Sequence, residues 1–187
     1  MAIILASASP RRKELMGLLK LPFTIKVADI DETMYPEKTP FEEVARVSRR
    51  KAEAVKRQPG DVVIAADTIV VCKGRVLGKP VDKQEALEML HLLSGQKHQV
   101  MTGMTVLGDD RCVTCTEVSD IYFRELSDEE ILDYIATNEP MDKAGAYGIQ
   151  GGAALFVQRL EGDYYNVMGL PVCRLSQILK EFRSEPQ

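Results

Sequence analysis

The run VVIAADTIVV, Val62 to Val71, constrains this chain more than any other stretch. Its one ionisable residue is Asp67, and neither glycine nor proline breaks it. A continuous apolar run of this length suits a central strand covered on both faces, not a half-solvated edge. Such a strand implies a layer of structure on each side of it. A carboxylate inside it needs compensation, because a buried charge without partners is costly. Asp67 is then either a residue pairing with a core lysine or a functional acid. In open α/β sheets ligands collect at the carboxyl ends of strands, which favours the second reading.

Strand and helix patterns alternate around this run. Ala2 to Ala6 reads as a buried first strand, and Pro10 to Leu19 as a helix with Leu15, Leu18 and Leu19 on one face. Phe23 to Val27 is a short strand, and Asp29 to Pro40 a loop holding Asp29, Asp31, Glu32 and two prolines. Phe41 to Arg57 is an amphipathic helix, with Val44, Val47 and Val55 apolar. A helix over Asp82 to Leu93 is capped by Asp82. Gln99 to Leu107 and Arg111 to Phe123 form a hairpin about Gly108-Asp109-Asp110. Ser127 to Ala136 is a helix opened by a Ser127/Glu130 capping box. Ala153 to Arg159 is a strand, and Leu170 to Phe182 a closing helix. The alternation, with one antiparallel excursion, predicts an α/β fold with a mixed sheet.

A chain of 187 residues, 45% hydrophobic, suffices for one domain, or for two lobes about a central cleft. Its net charge of -4 excludes a general nucleic-acid coat, which needs a basic stripe. Aromatic residues interleaved with basic ones are absent too. Met1 to Leu5 is too short an apolar run for a signal peptide and lacks a basic flank. No stretch approaches the roughly 20 apolar residues that span a bilayer, so no membrane partner is expected. Three of the four cysteines lie in strand-like or helical apolar patterns, as expected of buried thiols in a reducing cytoplasm. Cys112 and Cys115 form a C-x-x-C with no second pair, so a zinc site is not expected.

Local basic clusters must then mean something local. Ser9-Pro10 reads as a helix start, serine at the N-cap and proline at the first helical position. That end prefers acidic neighbours, yet Arg11 and Arg12 occupy the first turn. An anion resolves the conflict. Helix amides, the Ser7 and Ser9 hydroxyls and two guanidinium forks together make a phosphate cradle. It is not a Walker loop, since neither G-x-x-x-x-G-K-[ST] nor G-x-G-x-x-G occurs. Lys51 lies in an ordinary charged run, Arg49-Arg50-Lys51. Lys79, held between Gly78 and Pro80, is a more fixed point charge. Asp142 to Val157 is rich in glycine, which permits close backbone approach to a ligand, and Tyr164 to Pro171 has the same character. His91 and His98 offer no triad, and His98 is expected to satisfy a local hydrogen bond.

Six motifs, SASPRR, AADTIVV, LGKPVD, LSGQKHQVMTG, DKAGAYGIQG and YYNVMGLP, in this order and spacing, resemble the Maf family of nucleoside triphosphate pyrophosphatases. The resemblance runs from Ile3 to about Leu179. It implies a cytoplasmic house-cleaning hydrolase with an elongated, mixed, twisted sheet flanked by helices, similar to the inosine triphosphate pyrophosphatases. It implies cleavage of a nucleoside triphosphate at the α–β phosphoanhydride with a divalent cation, magnesium or manganese, and a homodimer. A link to division arrest is also implied, and a non-enzymatic nucleotide-binding regulator of cell division is the alternative. Asp67 matches the catalytic acid or base. Arg11, Thr68 and Gln150 match positions that set base preference. Ser7, Arg12, Lys51 and Lys79 match the polar and basic positions around the triphosphate, and Glu32 the acidic loop position that with Asp67 could hold the cation. Asp67-Thr68 and Gln150 place the chain in the branch that prefers dTTP and UTP, with CTP and modified pyrimidine nucleotides left open.

Overall fold

The computed structural model describes residues 2–35 and 37–184. The strand β1 spans Ile3–Leu5 and is followed by the helix α1, Pro10–Gly17. Next come β2, Phe23–Ile25, and α2, Pro40–Glu53. The Val62 run is β3, Val62–Cys72, which turns into β4, Arg75–Leu77. After α3, Lys83–Leu93, come the long pair β5, Lys97–Leu107, and β6, Cys112–Phe123. The chain closes with α4, Asp128–Ala136, a series of short 3-10 turns, β7, Val157–Glu161, α5, Tyr164–Met168, and α6, Val172–Ser184.

Among the described residues seven strands join one mixed sheet in the order β2-β1-β3-β5-β6-β7, with β4 on β3. β1 runs parallel to both β2 and β3, whereas β4 and β7 are antiparallel to their partners. The α/β reading and the mixed sheet hold. So do the helix starts, where side-chain oxygens satisfy orphan amides. Ser9 accepts from Arg12 N, Asp82 from Glu85 N, and Ser127 from Glu130 N in a reciprocal capping box.

The chain divides into two compact units. The first comprises residues up to Asp67, Thr102–Glu117, and the segment from Gly169 onward. Ile4, Ala6, Ala52, Val55, Val63 and Ala65 build a core there. α2 packs so closely on β5 that a Cβ at Gly103 would overlap the Val44 carbonyl, so only glycine fits. The second unit, Thr68–Met101 with Val118–Met168, has its own larger core. Leu90, Leu93, Ile121 and Ile131 are fully buried in it, and Phe123, Tyr134, Tyr147 and Phe156 form an aromatic chain.

Several expectations need correction. α1 ends at Gly17, so Leu18 falls at its C-cap and is 56% exposed; Met16 is buried beside Leu15 instead. α2 starts earlier, at Pro40, because Thr39 forms a capping box with Glu42. It stops at Glu53, and Arg57 turns to Asp109 and to the Gly108 carbonyl at 2.9 Å. β7 begins at Val157, not Ala153, since Gly152–Leu155 is a 3-10 turn. Tyr164–Met168 is a short helix, with Asn166 buried and donating to Val100 O at 3.1 Å and Ser119 Oγ at 2.8 Å. Of the cysteines only Cys72 is buried; Cys115 is half-buried, and Cys112 and Cys173 are exposed.

Candidate active site

In the first unit, the end of β1 and the middle of β3 create the setting. β1 pairs with β3 through Leu5 and Ile64, and Ala6 N–H donates to Ile64 O at 2.8 Å. β1 then leaves the sheet at Ser7 while β3 continues. Asp67 therefore sits in mid-strand on β3, just past the point where its parallel neighbour ends. That frees the edge of β3 for side chains from α1 and α2.

The first turn of α1 is built as the sequence predicts. Ser9 Oγ accepts from Arg12 N at 3.4 Å. Ser7, 7% exposed, accepts from Ser9 N at 3.2 Å and from Arg12 Nη1 at 3.3 Å. Arg12 Nε donates to Gly169 O at 2.8 Å, which locks the guanidinium plane. Burial holds the Arg12 pKa below its ordinary value, against the pull of Asp67 in the other direction. Arg11 follows Pro10 in the same turn, half-buried.

Lys51 reaches this place from α2. Its Nζ lies 2.7 Å from Asp67 Oδ1 and 2.9 Å from Glu32 Oε2. The Lys51 side chain is 15% exposed, that of Asp67 17%, and that of Glu32 57%. Lysine thus joins two carboxylates separated by 35 residues in sequence. This is the compensation that the lone acid in the apolar run requires. In the sequence this lysine lies in an ordinary charged run, and the resemblance to the Maf family placed it among the basic positions around the triphosphate.

Glu32 lies on a loop, and α2 holds that loop. Arg46 Nη2 donates to Thr33 O at 2.8 Å, Arg50 Nη1 to Asp31 O at 2.8 Å, and Tyr35 N to Glu43 Oε2 at 2.9 Å. Glu43 is fully buried and accepts from Arg46 Nε at 2.8 Å. The Arg46 hydrogen bond holds the Glu43 carboxyl below the usual carboxylate range. Arg46 stacks its guanidinium 4.1 Å from the Tyr35 ring centroid. Glu43, Arg46 and Arg50 were missed in the sequence. For Glu43 the available signal was helical spacing: it lies beside Val44 and four residues before Val47 on the buried stripe, where a charge must have a partner.

Thr68, Lys79 and Gln150 belong to the second unit. Thr68 is half-buried on β3, next in sequence to Asp67. Lys79 is exposed on the turn after β4, and Gly145 N–H donates to Gly78 O at 3.0 Å, tying that turn to the glycine-rich segment. Gly145 has φ 69°, and a Cβ there would press on Val70 at 2.9 Å. Gln150 is exposed on a turn closed by Gly151 N–H to Gly148 O at 3.1 Å. His98 is buried, 2.8 Å from the Tyr147 hydroxyl, a partner 49 positions away. Burial lowers its pKa to about 4.

The fold has solved counterparts. A HAM1 protein from Coxiella burnetii superposes with a TM-score of 0.54 over 97% of this chain and 100% of its own, at 18% identity. The Ham1 protein of Staphylococcus aureus does so with a TM-score of 0.53, over 97% and 99%, at 15% identity. The chain therefore has the α/β architecture of these proteins. It belongs to the Maf-like protein family, whose model matches residues 2–182. A protein of Bacillus anthracis strain CDC 684 described as a dTTP/UTP pyrophosphatase is 50% identical over 181 residues, 96% of this chain and 95% of that one. One of Bacillus cereus strain B4264 with the same description is 49% identical over the same shares.

Proposed function

We propose that this chain is a nucleoside triphosphate pyrophosphatase that hydrolyses dTTP and UTP to the monophosphate and pyrophosphate, a house-cleaning reaction. The observation that carries the reading is the Lys51 ammonium between Asp67 and Glu32, in the unit that also holds the Ser7/Arg12 helix start. The half-identical pyrophosphatases of Bacillus support it.

The chemistry follows from these groups. Phosphate oxygens are bound by the α1 amides, Arg12 and Ser7, with Lys51 and Lys79 as further positive charges. Arg12 is pre-oriented by Gly169 O and Ser7, so little ordering is left for the substrate to induce. Asp67 accepts the proton of the attacking water. The water oxygen bonds to the α-phosphorus, the bond from that phosphorus to the α–β bridging oxygen breaks, and pyrophosphate leaves with the electron pair. Lys51 keeps the Asp67 carboxylate aimed and lowers the cost of the negative charge gathered there.

The second carboxylate oxygens of Glu32 and Asp67, beside the ones that hold Lys51, are hard donors that would hold a magnesium or manganese ion. Among the described residues no group of three or more histidine, cysteine or acidic side chains is placed to hold a metal ion. Such a cation supplies neutralisation of phosphate charge and a more acidic attacking water.

For the base, the reading rests on Gln150. Its amide carries one acceptor and two donors in a plane, matching the N3–H and adjoining carbonyl of thymine and uracil. Thr68 and Arg11 keep the base and ribose in register. A homodimer and a cytoplasmic location complete the proposal; among the described residues no helix is long and apolar enough to cross a membrane.

The test is a nucleotide panel with the purified protein and magnesium or manganese. Pyrophosphate and monophosphate should appear together, fastest from dTTP and UTP. Orthophosphate with diphosphate would contradict the cleavage position, and tight binding without turnover would leave a nucleotide-binding regulator instead.

A further inference from the structure

Gln150 stands in a segment that should not hold still. Gly148-Ile149-Gln150-Gly151-Gly152 contains three glycines, and glycine surrenders more backbone freedom on ordering than any other residue. Yet both shoulders of this turn are tied to a single pair of side chains. Tyr134 accepts from Gly148 N at 3.1 Å and donates to Glu139 Oε1 at 2.9 Å. Glu139 Oε2 accepts from Gly152 N at 3.0 Å. The two oxygens of one carboxylate thus close a ring around the five residues, with Gln150 exposed at its centre.

The pair is itself immobilised. Tyr134 is 5% exposed, and its ring stands edge-on to Phe156 with centroids 5.2 Å apart. Burial raises its pKa, so the hydroxyl keeps the proton it donates. Glu139 N donates to Thr137 Oγ1 at 3.1 Å, and Lys143 Nζ donates to Glu139 O at 2.7 Å. The glycines are fitted to this arrangement. A Cβ at Gly151 would overlap the Glu139 carboxylate, and one at Gly152 would press on the Tyr134 ring at 3.2 Å.

We propose that Glu139, through Tyr134 and the Gly148 and Gly152 amides, positions Gln150 and so sets the pyrimidine preference of the enzyme. The inference rests on the reading of Gln150 as the base-contacting residue. Glu139 is a positioning residue, since both of its carboxylate oxygens are spent on the turn.

The test is kcat and KM for dTTP, UTP, CTP and GTP in the wild type and in Gln150→Glu, Glu139→Ala, Glu139→Gln, Tyr134→Phe and the double variant Glu139→Ala/Gln150→Glu. Glu139→Ala should lower the dTTP-to-GTP ratio of kcat/KM by about tenfold, mainly through KM for dTTP, since a loosened contact residue weakens discrimination first. Glu139→Gln keeps one acceptor for Gly152 N and should retain more of the ratio than Glu139→Ala. Tyr134→Phe should fall between them. In the double variant the ratio should be no lower than in Gln150→Glu alone, because both changes act through one side chain. Melting curves record whether each variant folds; should Glu139→Ala fail to, the isosteric Glu139→Gln and Tyr134→Phe decide. Unchanged ratios in the Glu139 and Tyr134 variants beside an altered ratio in Gln150→Glu overturn the positioning role and leave the base reading standing. An unchanged ratio in Gln150→Glu itself overturns both.

Discussion

Replacing Asp67 with asparagine separates the chemistry from the scaffold. The amide keeps the shape of the side chain and one oxygen that can accept from Lys51 Nζ, now 2.7 Å from Oδ1. What is lost is the charge and the capacity to take a proton. The structural cost is bounded by the surroundings. The pair is 15% and 17% exposed, between a surface ion pair worth under about 1 kcal/mol and a buried one whose disruption costs about 3–5 kcal/mol. A destabilisation of about 1–2 kcal/mol follows, or a Tm fall of about 2–8 °C for a chain of this size. The catalytic cost is larger. Removing a general base slows a reaction about 10²- to 10⁴-fold, equivalent to about 3–5 kcal/mol of barrier. Pyrophosphate release at saturating dTTP, across a magnesium titration, reads this cost directly, with circular dichroism recording the fold. A weaker cation requirement alone would be recovered at high magnesium, whereas the lost base would not. If the folded variant kept more than about a tenth of the wild-type rate at saturating cation, the role given to Asp67 would be wrong.

Other outcomes follow from the same geometry. Gln150→Glu should leave the base carbonyl without a donor and lower kcat/KM for dTTP and UTP about 5- to 150-fold, about 1–3 kcal/mol; equal losses on CTP and GTP would show that the residue only supports its turn. Glu43→Ala should strip Arg46 and Tyr35 N of their buried acceptor, lowering stability by about 1–3 kcal/mol and raising the magnesium concentration needed for half-maximal rate, because the Glu32 loop loses its anchor. Denaturant unfolding and a magnesium titration check the two effects, and an unaltered magnesium requirement would detach Glu43 from the site. His98 gives a stability that depends on pH. The unfolded chain takes this proton near pH 6.5 and the folded one only near 4, so stability is fully present above about 6.5 and falls as pH drops towards 4, by about 3 kcal/mol in all. His98→Gln should flatten the slope between pH 6.5 and 4.5, and a slope identical to the wild type would place its origin elsewhere.

Much of this molecule is written in short-range pattern. The apolar run around Asp67 specifies a covered central strand because no other placement removes so many adjacent apolar side chains from water. The starts of α1, α3 and α4 are legible because a cap is a contract between residues three apart, as Ser9 with Arg12 and Ser127 with Glu130 show. The two arginines against the helix dipole marked an anion site for the same local reason.

What only the tertiary structure decided is which charges meet. Lys51 lies in a charged run that gives no sign of its partner, and it is the packing of α2 on β3 that brings it to within 2.7 Å of Asp67, 16 residues away. Glu43 and Glu139 were not singled out in the sequence. One is fully buried beneath the Glu32 loop, and the other gathers two amide shoulders of the Gln150 turn by way of Tyr134. Leu18 shows the opposite case, an apolar residue left 56% exposed at the C-cap of α1 although its backbone is still helical. Caps and strand periods are settled by neighbours along the chain, so sequence alone determines them. A charge far along the chain finds its partner only when sheet pairing and helix packing fix both backbones in space, since the attraction within such a pair falls away over a few ångströms.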